Sequence, residues 1–115
     1  MEDGPAAARF ELGLLLDDER EHSEAEAWYL QAASGGDADS SYSLGRLLIE
    51  QEESTEAESW LREAAQKGHP GAMIELARLL RNTEQASEVS LWAAQAAEYY
   101  RRQVDDDDAR SSRNI

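Results

Sequence analysis

Ser40, Leu44, Leu47 and Leu48 recur at helical spacing, and after a charged stretch Ala57, Trp60, Leu61, Ala64 and Ala65 do the same. Each set is one apolar stripe on an otherwise polar helix. The two stripes form a unit, and the unit repeats. Trp28, Trp60 and Trp92 are spaced by 32 residues, and the same shift aligns Leu12, Leu44 and Leu76. It also brings Gly13 and Gly45 onto Ala77, and superimposes the Ala pairs at 32 and 33, 64 and 65, and 96 and 97. A fixed period of this length marks a stack of helical hairpins, in which no single hairpin buries its own apolar face.

The pattern predicts six helices, near 6–17, 23–34, 38–50, 55–67, 70–81 and 87–103. The first helix of each pair is termed A and the second B. Ser23, Thr55 and Ser87 occupy one repeat position and are expected to cap the B helices, with Glu26 and Glu58 closing two capping boxes. Gly36 and Gly68 suit the left-handed turn that ends a B helix, and Pro70 suits the start of the next A helix. The units fall near 6–36, 37–68 and 69–103, after a short leader, 1–5. The third B helix runs on through Tyr99, Tyr100, Arg101 and Arg102 where a glycine is expected, and reads as a terminal cap. Residues 104–115 carry four consecutive aspartates and no apolar period, and read as a disordered acidic tail.

The expected core is Trp28, Trp60 and Trp92 with Leu44, Leu48, Leu76 and Leu80. A tryptophan ladder could also serve as a stacking platform, but one per unit on an apolar face favours the core.

The run from Ala25 through Trp28, Tyr29, Ala32, Ala33 and Gly36 to Leu44 and Gly45 resembles the Sel-one-like repeats, a branch of the tetratricopeptide (TPR) superfamily. Residues 57–68 with Leu76 and Ala77 repeat it, and the resemblance covers about 6–97. Glu50 to Ser54 stands where Sel-one-like units carry a Gly-rich insertion, which brings the repeat toward ordinary TPR proportions. The resemblance implies an all-α, right-handed α-solenoid of three helix-turn-helix repeats that binds other proteins and catalyses nothing. It also implies that the second face of each A helix lines a concave groove. That face carries Phe10, Leu14 and Asp17 in the first unit, Tyr42, Arg46 and Ile49 in the second, and Ile74, Arg78 and Arg81 in the third. Aromatic residues beside arginines suit a peptide-binding surface, and three arginines there would suit a partner's carboxylates. The alternative is pairing within a helix, Arg46 with Glu50 and Glu75 with Arg78.

Composition narrows the function further. The 115 residues include no cysteine and two histidines, which leaves no thiol chemistry and too few imidazoles for common metal sites. Acidic residues outnumber basic ones 25 to 11, a net charge of −14 that repels nucleic acid and anionic lipid. Acids crowd both A–B links, either as a ridge for a basic partner or as a match to the helix dipole. No nucleophile elbow, phosphate loop or calcium loop is present. The expectation is a cytoplasmic, non-catalytic scaffold without metal or cofactor, binding a protein or peptide. A structural solenoid that self-associates, or a C-terminal piece of a larger TPR protein, is the alternative. Phe10, Leu14 and three alanines leave helix 6–17 apolar, which points to a homodimer or partner contact through it.

Overall fold

The computed structural model describes the backbone of residues 4–81 and 83–113 and the side chains of 6–81 and 83–106. Six helices follow in order: α1 (Gly4–Asp18), α2 (His22–Ser34), α3 (Ala38–Glu50), α4 (Ser54–Gln66), α5 (Pro70–Leu80) and α6 (Ser87–Arg113). No strand occurs among the described residues. Each helix packs mainly on its neighbours in sequence, so the fold is three hairpins side by side. The radius of gyration, 16.1 Å, exceeds the roughly 13 Å of a compact chain this long, as an open stack requires.

The repeat extends to the backbone of the turns. Arg20 and Glu52, one period apart, adopt φ of 65° and 64°, and Gly36 and Gly68 adopt 98° and 91°. Each of these residues ends a helix in the same double-bonded turn. In the second A helix, the Glu53 N–H donates to the Leu48 carbonyl at 2.9 Å and the Glu52 N–H to that of Ile49 at 3.0 Å. These bonds satisfy carbonyls that the helix end would leave unpaired.

The same turns displace the expected caps. With Glu52 in the left-handed region, Glu53 already occupies the cap position of α4, and Glu21 does so for α2; neither side chain makes a cap bond. Ser23 and Thr55 therefore lie inside their helices, and the capping boxes do not form. Side-chain caps occur on A helices instead. The Asp37 carboxylate accepts from the Ser40 N–H at 2.9 Å, and His69 Nδ1 accepts from the Ala72 N–H at 3.1 Å.

The core has two parts. Tyr29, Ala33, Leu44, Leu47 and Leu48 close the first, and Leu61, Ala64, Ala65, Leu76, Leu80 and Trp92 the second. Leu44, Leu48, Leu76, Leu80 and Trp92 are buried as expected, whereas Trp28 and Trp60 are half-buried. The largest fully enclosed side chain on each of the first two B helices is the residue after the tryptophan, Tyr29 and Leu61, both 0% exposed. Their partners are glycines: a Cβ at Gly13 would meet the Tyr29 ring at 2.6 Å, and one at Gly45 would meet Leu61 at 2.7 Å. The larger indole lies one residue round the helix, outside this close contact.

Polar bonds tie successive units together. Lys67 Nζ donates to the Gly36 carbonyl at 2.7 Å, and Gln51 to Glu26 at 2.8 Å. Arg62 on α4 forks onto both oxygens of Glu88 on α6, at 2.7 and 3.3 Å, and Glu88 also accepts from the Trp92 indole. This pairing holds the Glu88 carboxyl below, and the Arg62 guanidinium above, their ordinary ranges.

The expected tail boundary moves. Helix α6 spans 27 residues, about 40 Å, and carries Val104 to Arg113 within it. Of the expected leader and tail, residues 1–3, 114 and 115 lie outside the described residues, while Gly4 and Pro5 open α1.

Candidate functional site

The nine residues expected to line one groove, Asp17 among those of the first cavity, fall into two cavities and one packed position. Phe10 and Leu14 of α1 meet Tyr42 and Arg46 of α3 around a cavity of about 450 Å³. Ile74, Arg78 and Arg81 line a second cavity of about 350 Å³, against α6. Ile49 lies in neither; it is half-buried and packs against both parts of the core. Of the three arginines, Arg46 lines the first cavity and Arg78 and Arg81 the second.

The first cavity is assembled from three units. Its floor includes Tyr29 and Leu47, and its rim carries Asp17, Asp39, Glu50 and His69. His69 sits in the turn before α5 and reaches back over α3. Its ring stacks on Tyr42 with centroids 4.5 Å apart. Because Nδ1 accepts the Ala72 N–H, the neutral ring carries its proton on Nε2, which faces Asp39 Oδ1 at 3.1 Å. Both nitrogens are thus engaged in holding the ring. Gly71 leaves the room: a Cβ there would lie 3.0 Å from His69 and 3.1 Å from Tyr42.

Arg46 places its guanidinium carbon 5.8 Å from the centroid of the Tyr42 ring, a cation–π distance, and makes no ion pair with Glu50 among the described residues. The pairing expected between Glu75 and Arg78 does form, at 3.1 Å. Asp17 binds His22 Nδ1 at 2.9 Å and accepts from the Tyr29 hydroxyl at 3.4 Å. Burial first, then the charge and hydrogen bond of Asp17, push the Tyr29 phenol up to about 12. Around one cavity the protein thus sets three carboxylates against one guanidinium, above aromatic and leucine walls. Such a surface can grip an apolar side chain and a neighbouring cationic one.

Asp39, Ser43, Glu50 and His69 were not among the expected groove residues. Repeat alignment finds equivalent positions, whereas a cavity between units collects residues that occupy different repeat positions, such as Tyr42 and His69. The acidic links are partly absorbed by local pairs: Glu26 with Gln51, Glu58 with Arg62 at 3.0 Å, and Asp17 with His22. Among the described residues no group of three His, Cys, Asp or Glu side chains could hold a metal ion, and no helix is long and apolar enough to cross a membrane. No protein-family model matches the chain, and no curated protein is significantly similar to it.

Proposed function

We propose that this chain is a non-catalytic, cytoplasmic interaction scaffold that binds an extended segment of a partner protein across the A-helix face. The observation that carries this reading is the cavity between α1 and α3. Phe10, Leu14 and Tyr42 give it apolar walls, and Tyr42 is held in place by the His69 stack. Held aromatic side chains in a recess are the usual anchors of a protein interface. The surplus of carboxylates over Arg46 favours a segment with a basic side chain beside its apolar one. The resemblance to TPR-type repeats supports the same use of this face.

Selection from a display library of random peptides tests the reading. Selected peptides should be rich in lysine or arginine beside a large apolar residue. Tyr42→Ala should weaken them at least tenfold, while Leu30→Ala, on an exposed part of α2, leaves them unchanged. Binding that ignores Tyr42 would refute the assignment.

A further inference from the structure

The 32-residue register allows each helix surface to be compared with its counterparts. On α2, the positions Ala25, Tyr29, Ala32 and Ala33 are 0–1% exposed, and on α4 so are Ala57, Leu61, Ala64 and Ala65. They are covered from two sides, by the A helix of their own hairpin and by the next A helix, whereas on α6, among the described residues, only the first cover is present and Ala96 alone of the four equivalents is buried. On α6 the equivalent residues Val89, Ala93, Ala96 and Ala97, followed by Tyr100, line the open 350 Å³ cavity, and Ala93 and Ala97 are exposed. Helix α1 shows the converse. Ala8 is exposed and Leu15 is 57% exposed, whereas their counterparts on α3, Ser40 and Leu47, are 0% and 4% exposed beneath α2. Among the described residues, one end of the stack thus exposes a face equivalent to the A-helix acceptors, and the other an A-helix face.

We infer that α1 of a second copy docks on α6 as α3 docks on α2 and α5 on α4, so that chains associate head to tail. The interface continues one that the protein already makes twice, and its register follows without adjustable choices. In the first cavity Leu14 and Asp17 of α1 share their walls with Ser43 and Glu50 of α3. The same arrangement two units on sets Arg78 opposite Glu11 of the second copy and Arg81 opposite its Asp18. All four side chains are exposed. Where the first junction brings two acids together, this one brings opposite charges together, which lowers the repulsion expected between chains of net charge −14. Ala93, standing where Tyr29 and Leu61 stand in the other units, leaves space for the incoming Leu15. Arg78 shares its exposed pair with Glu75, a bond weak enough to yield to a second carboxylate.

Such contacts are heterologous, so they build an open series or a closed ring rather than a two-fold dimer. Sedimentation velocity over a concentration series of the full chain tests the proposal. The wild-type mass should rise above the 12.8 kDa of one chain as concentration increases. Arg78→Glu with Arg81→Glu should abolish association, and so should Glu11→Arg with Asp18→Arg. An equimolar mixture of the two variants should restore it, because each then meets its charge complement at both junctions. Helix content by circular dichroism establishes that each variant is folded. For a variant that is not, Arg78→Gln with Arg81→Gln replaces it and should weaken association at least tenfold. A wild-type chain that stays monomeric to its solubility limit overturns the proposal. So does association that the variants leave intact.

Discussion

Gly45 approaches Leu61 so closely that a methyl group at residue 45 would lie 2.7 Å from Leu61 Cγ. The pair is one of a series 16 residues apart: Gly13 faces Tyr29 in the first hairpin, and Ala77 and Ala93 share the third. The size of the B-helix residue sets how small its A-helix partner must be. In a free helix, Gly→Ala would gain about 0.8–1 kcal/mol. Here overpacking reverses the sign. Gly45→Ala should destabilise the protein by about 1–3 kcal/mol in urea unfolding, and a stabilised variant would show that the hairpin has slack.

Leu61 and its neighbour Trp60 separate enclosure from size. Leu61 is fully enclosed and Trp60 half-buried. Leu61→Ala should cost about 2–5 kcal/mol, a large part of the stability of a small domain. Trp60→Ala removes more atoms but leaves less of a cavity, and should cost less than Leu61→Ala. The reverse order, measured by the same unfolding curves, would place the indole at the packing centre.

Tyr29 gives a pH signature. Its phenol is near 10 when unfolded and about 12 when folded, so the fold favours the protonated form. The associated stability is fully present below pH 10 and is lost as pH rises through 12. Two units correspond to about 3 kcal/mol as an upper scale. Tyr29→Phe keeps the ring packing and has no proton to lose. Its stability should fall less than wild type between about pH 9 and 11; parallel curves would contradict the buried, Asp17-facing phenol.

Much of this architecture was legible in the chain. The 32-residue period of Trp28, Trp60 and Trp92 located all six helices, and Gly36 and Gly68 marked two of the turns. Arg20 and Glu52 occupy equally left-handed turns with no glycine to announce them. That hid where α2 and α4 begin, and made Ser23 and Thr55 look like caps. Asp105 to Asp108 looked like a solvated tail because charge runs carry no apolar period, yet the helix continues through them. In the candidate site, Phe10, Leu14, Tyr42 and Arg46 came from the face of the A helices that the resemblance to TPR repeats implied. His69 did not, because its role arises from a turn folding back over the preceding unit.

Those two left-handed residues can be tested by substitution. A non-glycine residue at φ near 64° carries backbone strain that glycine avoids. Glu52→Gly should raise stability by up to about 1 kcal/mol, after the entropy of the more flexible unfolded chain is set against the relieved strain. Glu52→Val should lower it by about 1 kcal/mol or more. Equal stability of the three proteins in thermal unfolding would mean that this turn is not fixed in solution.

The proposed function places a partner segment in the cavity between α1 and α3. Photocrosslinking in the native host tests it directly, with benzoylphenylalanine placed at Tyr42 or at Leu30. A discrete heavier adduct is expected from residue 42, mapping to a basic and apolar stretch of another protein, and none from residue 30. Adducts of equal yield from both positions, or from residue 30 alone, would contradict it.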